Sequence, residues 1–269
     1  MATDVEQPLV AQIRSAYEGS ANGWADGPAA VYRHLAHALI ADGPGSWDGR
    51  RVLDLGAGTG VASEVLLAAG ARPVGLDLAR AMLAHRREHR PPGVVGDACA
   101  LPLATASFDA VVAAFSLNHV PEPPRALGEC RRVTRAGGVV LASTFPSDAD
   151  HPAKAIVESV LEEFGYERPD WYQTFKTQVA WRTGEPEAFA RAAETAGLSD
   201  VQVDVVDVDA GLDRADLAVE WRLGMPHTIG FVSDLDADTR AALRARATAA
   251  LDADLPSATP MLRLQARVP

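Results

Sequence analysis

The chain holds 269 residues, 48% of them hydrophobic, with 25 Lys+Arg against 36 Asp+Glu for a formal net charge of −11. That length admits one large α/β domain or two small ones, each with a usable core, and the hydrophobic content argues against disorder. The negative balance repels a phosphate backbone, and the Arg pairs at 50–51, 86–87 and 131–132 are too scattered to form a basic patch, so nucleic acid is not an expected partner.

Met1 to Val10 is acidic and polar, without the basic run and apolar stretch of a secretory leader. Apolar periodicity at Val10, Ile13 and Tyr17 then gives way to a break at Gly19, Gly23 and Gly27, followed by a helix over about 29–40. Residues 9–41 are thus expected to form a helical segment with the mobility of a lid.

From residue 50 to 145 short apolar runs alternate with amphipathic ones. Strands are predicted over 51–55, 73–77, 94–97, 108–115 and 138–144, with helices over 61–69, 79–89 and 124–134. Nearly continuous apolar strands alternating with helices point to a parallel sheet covered on both faces. Beyond it a helix over 187–196, a strand over 201–208 with period 2 at Val201, Val203 and Val205, and a last strand over 261–268 continue the alternation. Segments 146–185 and 210–259 read as helical insertions rich in aromatics, and no linker divides the chain. Cys99 and Cys130 lack metal-ligand spacing, and no stretch nears the ~20 apolar residues of a membrane helix. The expectation is a cytoplasmic protein with reduced thiols, no metal and no membrane partner.

Asp54-Leu-Gly-Ala-Gly-Thr-Gly60 falls where a strand turns into a helix, so its glycines let a ligand approach the backbone beside free helix N–H groups. The third glycine of a dinucleotide fingerprint would stand at Val61, and Asp54 is a poor neighbour for a pyrophosphate. It suits an ammonium or a sulfonium. The next strand ends in Asp77, where a carboxylate can accept both ribose hydroxyls, and the third in Asp97-Ala98, where a side chain and an N–H can read an adenine edge. Three acidic strand ends around one loop describe a cationic adenosine ligand.

Val52-Leu-Asp-Leu-Gly-Ala-Gly-Thr-Gly60, Val74-Gly-Leu-Asp-Leu-Ala-Arg-Ala-Met-Leu83, Gly96-Asp-Ala-Cys-Ala-Leu-Pro102, Phe108-Asp-Ala-Val-Val112 and Arg131-Arg-Val-Thr-Arg-Ala-Gly-Gly-Val139 closely resemble the successive motifs of class I S-adenosylmethionine-dependent methyltransferases. The match is to the small-molecule branch that includes ubiquinone/menaquinone-type and natural-product enzymes, and covers about residues 50–145. The resemblance implies a Rossmann-like three-layer α/β sandwich with a seven-stranded, mostly parallel sheet, residues 1–269 forming one domain. It also implies S-adenosyl-L-methionine as cofactor, with Gly56, Ala57 and Gly58 holding the methionine part and Asp54 near its amino group. Asp77 would take the ribose, Leu78 and Met82 would flank the adenine, and Asp97 with Ala98 would bind its amino group. Ser116 lies where the family's cofactor meets its substrate, and Tyr17 and Trp24 match aromatics that close over the cofactor.

Methyl transfer from a sulfonium is an in-line displacement, so a protein aligns the acceptor and, where the acceptor is not already nucleophilic, removes its proton. His119, after the fourth strand, is the first candidate base, with contact to the cofactor or a loop-fixing role as its alternatives; His227 is the second. Trp171, Tyr172, Phe175, Trp181, Trp221 and Met225 would wall a pocket for an apolar or aromatic acceptor, or form the insertions' own cores. Arg182 and Arg222, each beside a tryptophan, could meet an acceptor carboxylate or phosphate. Competing readings are a nicotinamide-dependent oxidoreductase, disfavoured by Val61 and Asp54, and a cofactor-binding cyclase or regulatory protein of the same fold. The chain is expected to act as a monomer or homodimer.

Overall fold

The computed structural model describes residues 6–43, 45–251 and 254–269. The leader reading of Met1 to Val10 falls partly on residues 1–5, and the second insertion includes residues 252–253; both stretches lie outside the described residues.

Seven strands form one sheet: β1 (Arg51–Leu55), β2 (Arg72–Asp77), β3 (Gly93–Val95), β4 (Phe108–Ala114), β5 (Thr134–Thr144), β6 (Ser199–Asp209) and β7 (Ala258–Arg267). Their order is β3-β2-β1-β4-β5-β7-β6, parallel from β3 to β5, with β7 antiparallel to both its neighbours. This is the expected mostly parallel sheet. The chain steps outward from β1 to β3 and then returns to place β4 against the other side of β1, and ligands bind at the carboxyl ends of strands where such an order reverses.

Among the described residues twelve α-helices accompany the sheet: α1 (Glu6–Glu18), α2 (Ala21–Asp26), α3 (Pro28–Ala41), α4 (Val61–Ala68), α5 (Arg80–Ala84), α6 (Pro123–Val133), α7 (Pro152–Glu163), α8 (Asp170–Gln178), α9 (Pro186–Thr195), α10 (Ala215–Leu223), α11 (Ile229–Asp234) and α12 (Ala237–Ala250). On one face Val31, Leu35 and Leu39 of α3, Leu66 of α4, Val157 of α7 and Val219 of α10 pack on Val52, Ala110 and Leu141 of the sheet. On the other, Leu127 and Cys130 of α6 and Phe189 of α9 pack on Leu53, Val111 and Val140. Alternate residues of the buried strands thus feed opposite cores, as the pleat requires.

Three expectations are corrected. The 9–41 segment is not a lid throughout: α3 is a core helix, with Val31, Leu35 and Leu39 wholly buried, whereas α1 packs against α5 and α8 and, with Trp24 of α2, borders the sheet's carboxyl edge. The helix expected over 79–89 stops at Ala84, because Arg86 turns left-handed (φ +47°) and a short 3₁₀ turn over Arg87–His89 follows. Val205 does not share the burial of Val201 and Val203. These two pack on the α9 side, whereas Val205 is 53% exposed and the partly buried Val206 and Val208 turn to the opposite core. Among the described residues no helix is long and apolar enough to cross a membrane.

Candidate functional site

β1 ends in a loop whose Gly56, Gly58 and Gly60 have φ of +73°, +52° and +100°, a region that side chains other than glycine's enter at a cost. The loop is stitched to β2 by main-chain bonds, Gly56 N and Ala57 N both donating to Leu76 O at 2.7 and 2.9 Å. Asp77 at the end of β2 ties two elements together: its carboxylate accepts from Gly58 N and from Ala79 N, each at 2.8 Å. Asp97 forms an Asx turn by accepting from Cys99 N at 2.8 Å. Ser116 donates from Oγ to Leu55 O at 2.6 Å, and a Cβ placed on Gly56 would stand 2.2 Å from Ser116 Cβ. By contrast, a Cβ on Gly58 would meet nothing closer than Gly56 O at 4.0 Å, so the loop keeps an open face there.

That face borders a cavity of about 630 Å³ at the carboxyl edge of the sheet. Gly56, Gly58, Asp77, Leu78 and Met82 line it from the loop and β2, Asp97, Ala98 and Ser116 from the ends of β3 and β4, and Tyr17 and Trp24 from α1 and α2. His119 lines it as well. Two residues of the expected cradle do not line it. Ala57 is buried, with the backbone of Gly75 close against its Cβ, and Asp54 turns its carboxylate to Ser63 of α4, whose Oγ donates to Oδ2 at 2.5 Å. Burial raises the Asp54 pKa to about 6 against the pull of Ser63 and of Arg90, and burial likewise raises Asp77 against its two N–H donors.

Sequence reasoning missed several residues here. Arg90 folds back to donate to Met82 O at 2.6 Å and Gly58 O at 2.9 Å, bringing a cation into the field of Asp54 and Asp77. Glu18 accepts from Arg80 N and Ala81 N at 2.7 and 2.8 Å, latching the end of α1 onto the start of α5. Neither residue has a partner nearby in sequence that would have marked it. Arg14, Tyr32 and Phe115 also line the cavity; Tyr32 falls in the helix expected over about 29–40 and Phe115 ends the strand expected over 108–115, but nothing in their spacing marks them as facing a ligand.

Opposite the loop the contacts are between rings. The Tyr17 hydroxyl and His119 Nε2 lie 3.1 Å apart, and Phe175 stacks on His119 with centroids at 4.7 Å and planes at 10°. Buried His119 Nδ1 has no hydrogen-bond partner among the described residues. Burial, with a smaller contribution from Lys176, lowers the His119 pKa to about 4, so the ring is neutral. Tyr172 stacks on His227 with centroids at 3.7 Å and planes at 5°, and Trp171 meets Tyr172 edge-on.

The expected acceptor wall is therefore revised. Trp181 is 54% exposed beside Pro121 and Arg191 on an outer face. Trp221 is wholly buried in the α3-side core and Met225 packs against that core. Trp171, Tyr172 and Phe175 pack with Leu9 and Ile13 of α1 behind the cavity, and none of the six borders it directly. His227 is buried away from the cavity, its Nε2 3.4 Å from Arg222, which removes it from a catalytic place. Arg182 donates to Gln178 O and Pro121 O near the outer face.

A family model described as a methyltransferase domain matches residues 53–142. A demethylmenaquinone methyltransferase of Mycolicibacterium paratuberculosis is 32% identical over 191 residues, 71% of this chain and 76% of that protein. One from Renibacterium salmoninarum is 41% identical over 128 residues, 47% of this chain and 52% of that protein, so the chain spans about half the length of this relative. A solved structure of Haemonchus contortus phosphoethanolamine N-methyltransferase 2, in complex with phosphomonomethylethanolamine and S-adenosylhomocysteine, shares the fold. Its TM-score is 0.57 at 19% identity, covering 87% of this chain and 52% of that one.

Proposed function

Since this chain belongs to the class I S-adenosylmethionine-dependent methyltransferases, we propose that it methylates a small-molecule acceptor with an apolar or aromatic body, on O, N or C. We read residues 1–269 as one methyltransferase domain. Two free cysteines, Cys99 and Cys130, suit a reducing cytoplasm.

The observation that carries the reading is the cavity itself. Its open glycine face, its carboxylates Asp77 and Asp97 and its apolar Leu78 and Met82 supply the contacts that a nucleoside and an amino-acid tail require. Asp77 has lone pairs to spare after accepting two N–H groups and can accept ribose hydroxyls. Leu78 and Met82 would flank the adenine, while Asp97 and Ala98 would meet its polar edge. Asp54 acts as a buried charge behind the loop, and Ser116 fixes the loop where it faces the acceptor. When bound, the cofactor supplies an activated methyl group on a sulfonium. Tyr17 and Trp24 would close over that region, with the Tyr17 ring edge-on to His119.

His119 is neutral and its buried Nδ1 has no hydrogen-bond partner among the described residues, so one ring nitrogen remains to donate to, or accept from, an acceptor that reaches it. With a pKa of about 4 it is a weak base, which favours an orienting role. Calorimetry with S-adenosylhomocysteine and with NADH tests the cofactor: binding of the first alone supports the reading, and binding of NADH alone overturns it. Labelled-methyl transfer to a panel of phenols, amines and prenylated quinols then tests the acceptor class. For His119→Ala, an orienting histidine predicts a loss of turnover that raising the pH does not restore, whereas rescue at high pH assigns the base.

A further inference from the structure

Arg222, near the end of α10, is only 7% exposed, yet among the described residues no carboxylate oxygen lies within 4.0 Å of its guanidinium. Its side-chain neighbours are neutral. Nη2 donates to His227 Nε2 at 3.4 Å, and the guanidinium carbon sits 5.2 Å from the centre of the Trp221 ring. Arginine can only donate, so the His227 proton sits on Nδ1; burial, then Arg222, Arg168 and Lys176, hold that ring neutral.

The surroundings add charge of the same sign. The chain contains two lysines, Lys154 and Lys176, and both lie in the field of Arg222. Lys154 Nζ stands 5.2 Å from the centre of the Phe145 ring and donates to Ala149 O at 2.8 Å. Burial, followed by Arg222 and Lys176, lowers its pKa to about 8; exposed Asp150 opposes this and is the weakest influence named. A guanidinium held in the interior without an anion loses hydration that nothing replaces, and two further ammonium groups nearby add repulsion. Tyr32 joins this cluster to the cavity: it lines the cavity, its ring centre lies 6.1 Å from that of Phe145, and the charge of Arg222 acts on its phenol.

Resting on the methyl-transfer reading above, we propose that the acceptor carries a carboxylate whose two oxygens pair with the planar fork of Arg222, with Lys154 as the second cation. The planar guanidinium matches a carboxylate in two parallel hydrogen bonds, and the rings of Tyr32 and Phe145, between the cluster and the cavity, would hold the body attached to it. The anion would meet the buried charge that the fold leaves uncompensated.

The test uses the full chain saturated with S-adenosylhomocysteine and three matched pairs of probes: benzoate and benzamide, 2-naphthoate and 2-naphthamide, 4-hydroxycinnamate and its primary amide. Affinities are read by calorimetry at fixed ionic strength. At least one acid is expected to bind about tenfold or more tightly than its amide. Arg222→Gln is expected to abolish that preference, Arg222→Lys to keep part of it and Lys154→Gln to reduce it. Equal binding of acid and amide in all three pairs overturns the proposal, and so does a preference that survives Arg222→Gln. Should Arg222→Gln fail to fold, as judged by circular dichroism, an undiminished preference in Lys154→Gln overturns the role given to that lysine and its cluster. Failure of the wild-type protein to bind S-adenosylhomocysteine would instead strike the methyl-transfer reading beneath.

Discussion

On the glycine-loop side of the cavity each polar side chain is fixed by main chain: Asp77 by Gly58 N and Ala79 N, Asp97 by Cys99 N, and Ser116 by Leu55 O. On the facing side His119 is fixed by rings from distant segments, the edge of Tyr17 and the stacked face of Phe175. Main-chain partners leave one geometry and tolerate almost no change of backbone. Stacked rings hold a plane and a distance but leave room for another aromatic, so this wall can change acceptor without disturbing the fold beneath. The two walls should therefore respond to mutation in different ways.

The harshest test of the rigid wall is Gly56→Ala. The residue sits at φ +73° and its new Cβ would stand 2.2 Å from Ser116 Cβ. A left-handed side chain costs roughly 1–2 kcal/mol and overpacking roughly 1–3 more, so a loss of about 2–5 kcal/mol in urea denaturation and of measurable S-adenosylhomocysteine binding is expected. Adding Ser116→Gly should recover the packing part and leave the backbone part. Wild-type behaviour in the single variant would break the comparison.

Next in size is the charge behind the loop. Asp54 is 1% exposed and its pKa is raised to about 6, above the unfolded value of 3.8, so the folded state holds the proton more tightly. Its contribution to stability is accordingly full below about pH 4 and is lost as the pH rises through about 6, by on the order of 2–3 kcal/mol. Asp54→Asn should remove this slope between pH 4 and 7 while weakening cofactor affinity. An unchanged slope would show that the carboxylate is solvated. Asp77→Ala comes third: two N–H groups lose their acceptor, and affinity for S-adenosylhomocysteine should fall by about 1–3 kcal/mol in calorimetry.

The legibility of the two walls follows the same division. The strand ends Asp77 and Asp97 and the loop Gly56 to Gly60 could be placed from sequence because their partners lie within a turn or on the neighbouring strand, at spacings the parallel sheet dictates. The direction of the Asp54 carboxylate is not legible in the same way, because the turn of β1 into α4 aims it at Ser63, a direction that spacing does not encode. Trp181 and Trp221 looked alike as tryptophans beside arginines, yet one ended on the surface and the other in the core. Which face of a helical insertion meets the sheet is decided by contacts across the chain. Arg90 and Glu18 were invisible for the same reason, since each closes a loop onto a segment far away in sequence or around a turn.

Helix α1 touches both walls, and so offers the finest discrimination. Its end is held to α5 by the Glu18 carboxylate on Arg80 N and Ala81 N, while its middle rests Leu9 and Ile13 on Phe175 and Val179. Glu18 is exposed and its bonds are screened by water, worth roughly 0.3–1 kcal/mol at a helix start. The buried Phe175 contributes more, and Phe175→Ala would leave a gap costing roughly 3 kcal/mol or more. If α1 is held mainly by the ring wall, Phe175→Ala should speed amide hydrogen exchange along α1 far more than Glu18→Gln, with exchange in β1 and β4 unaltered by either. Should Glu18→Gln free α1 as fully as Phe175→Ala, the hinge of this helix lies on the main-chain side, and the division between a rigid wall and an adaptable one fails where the two meet.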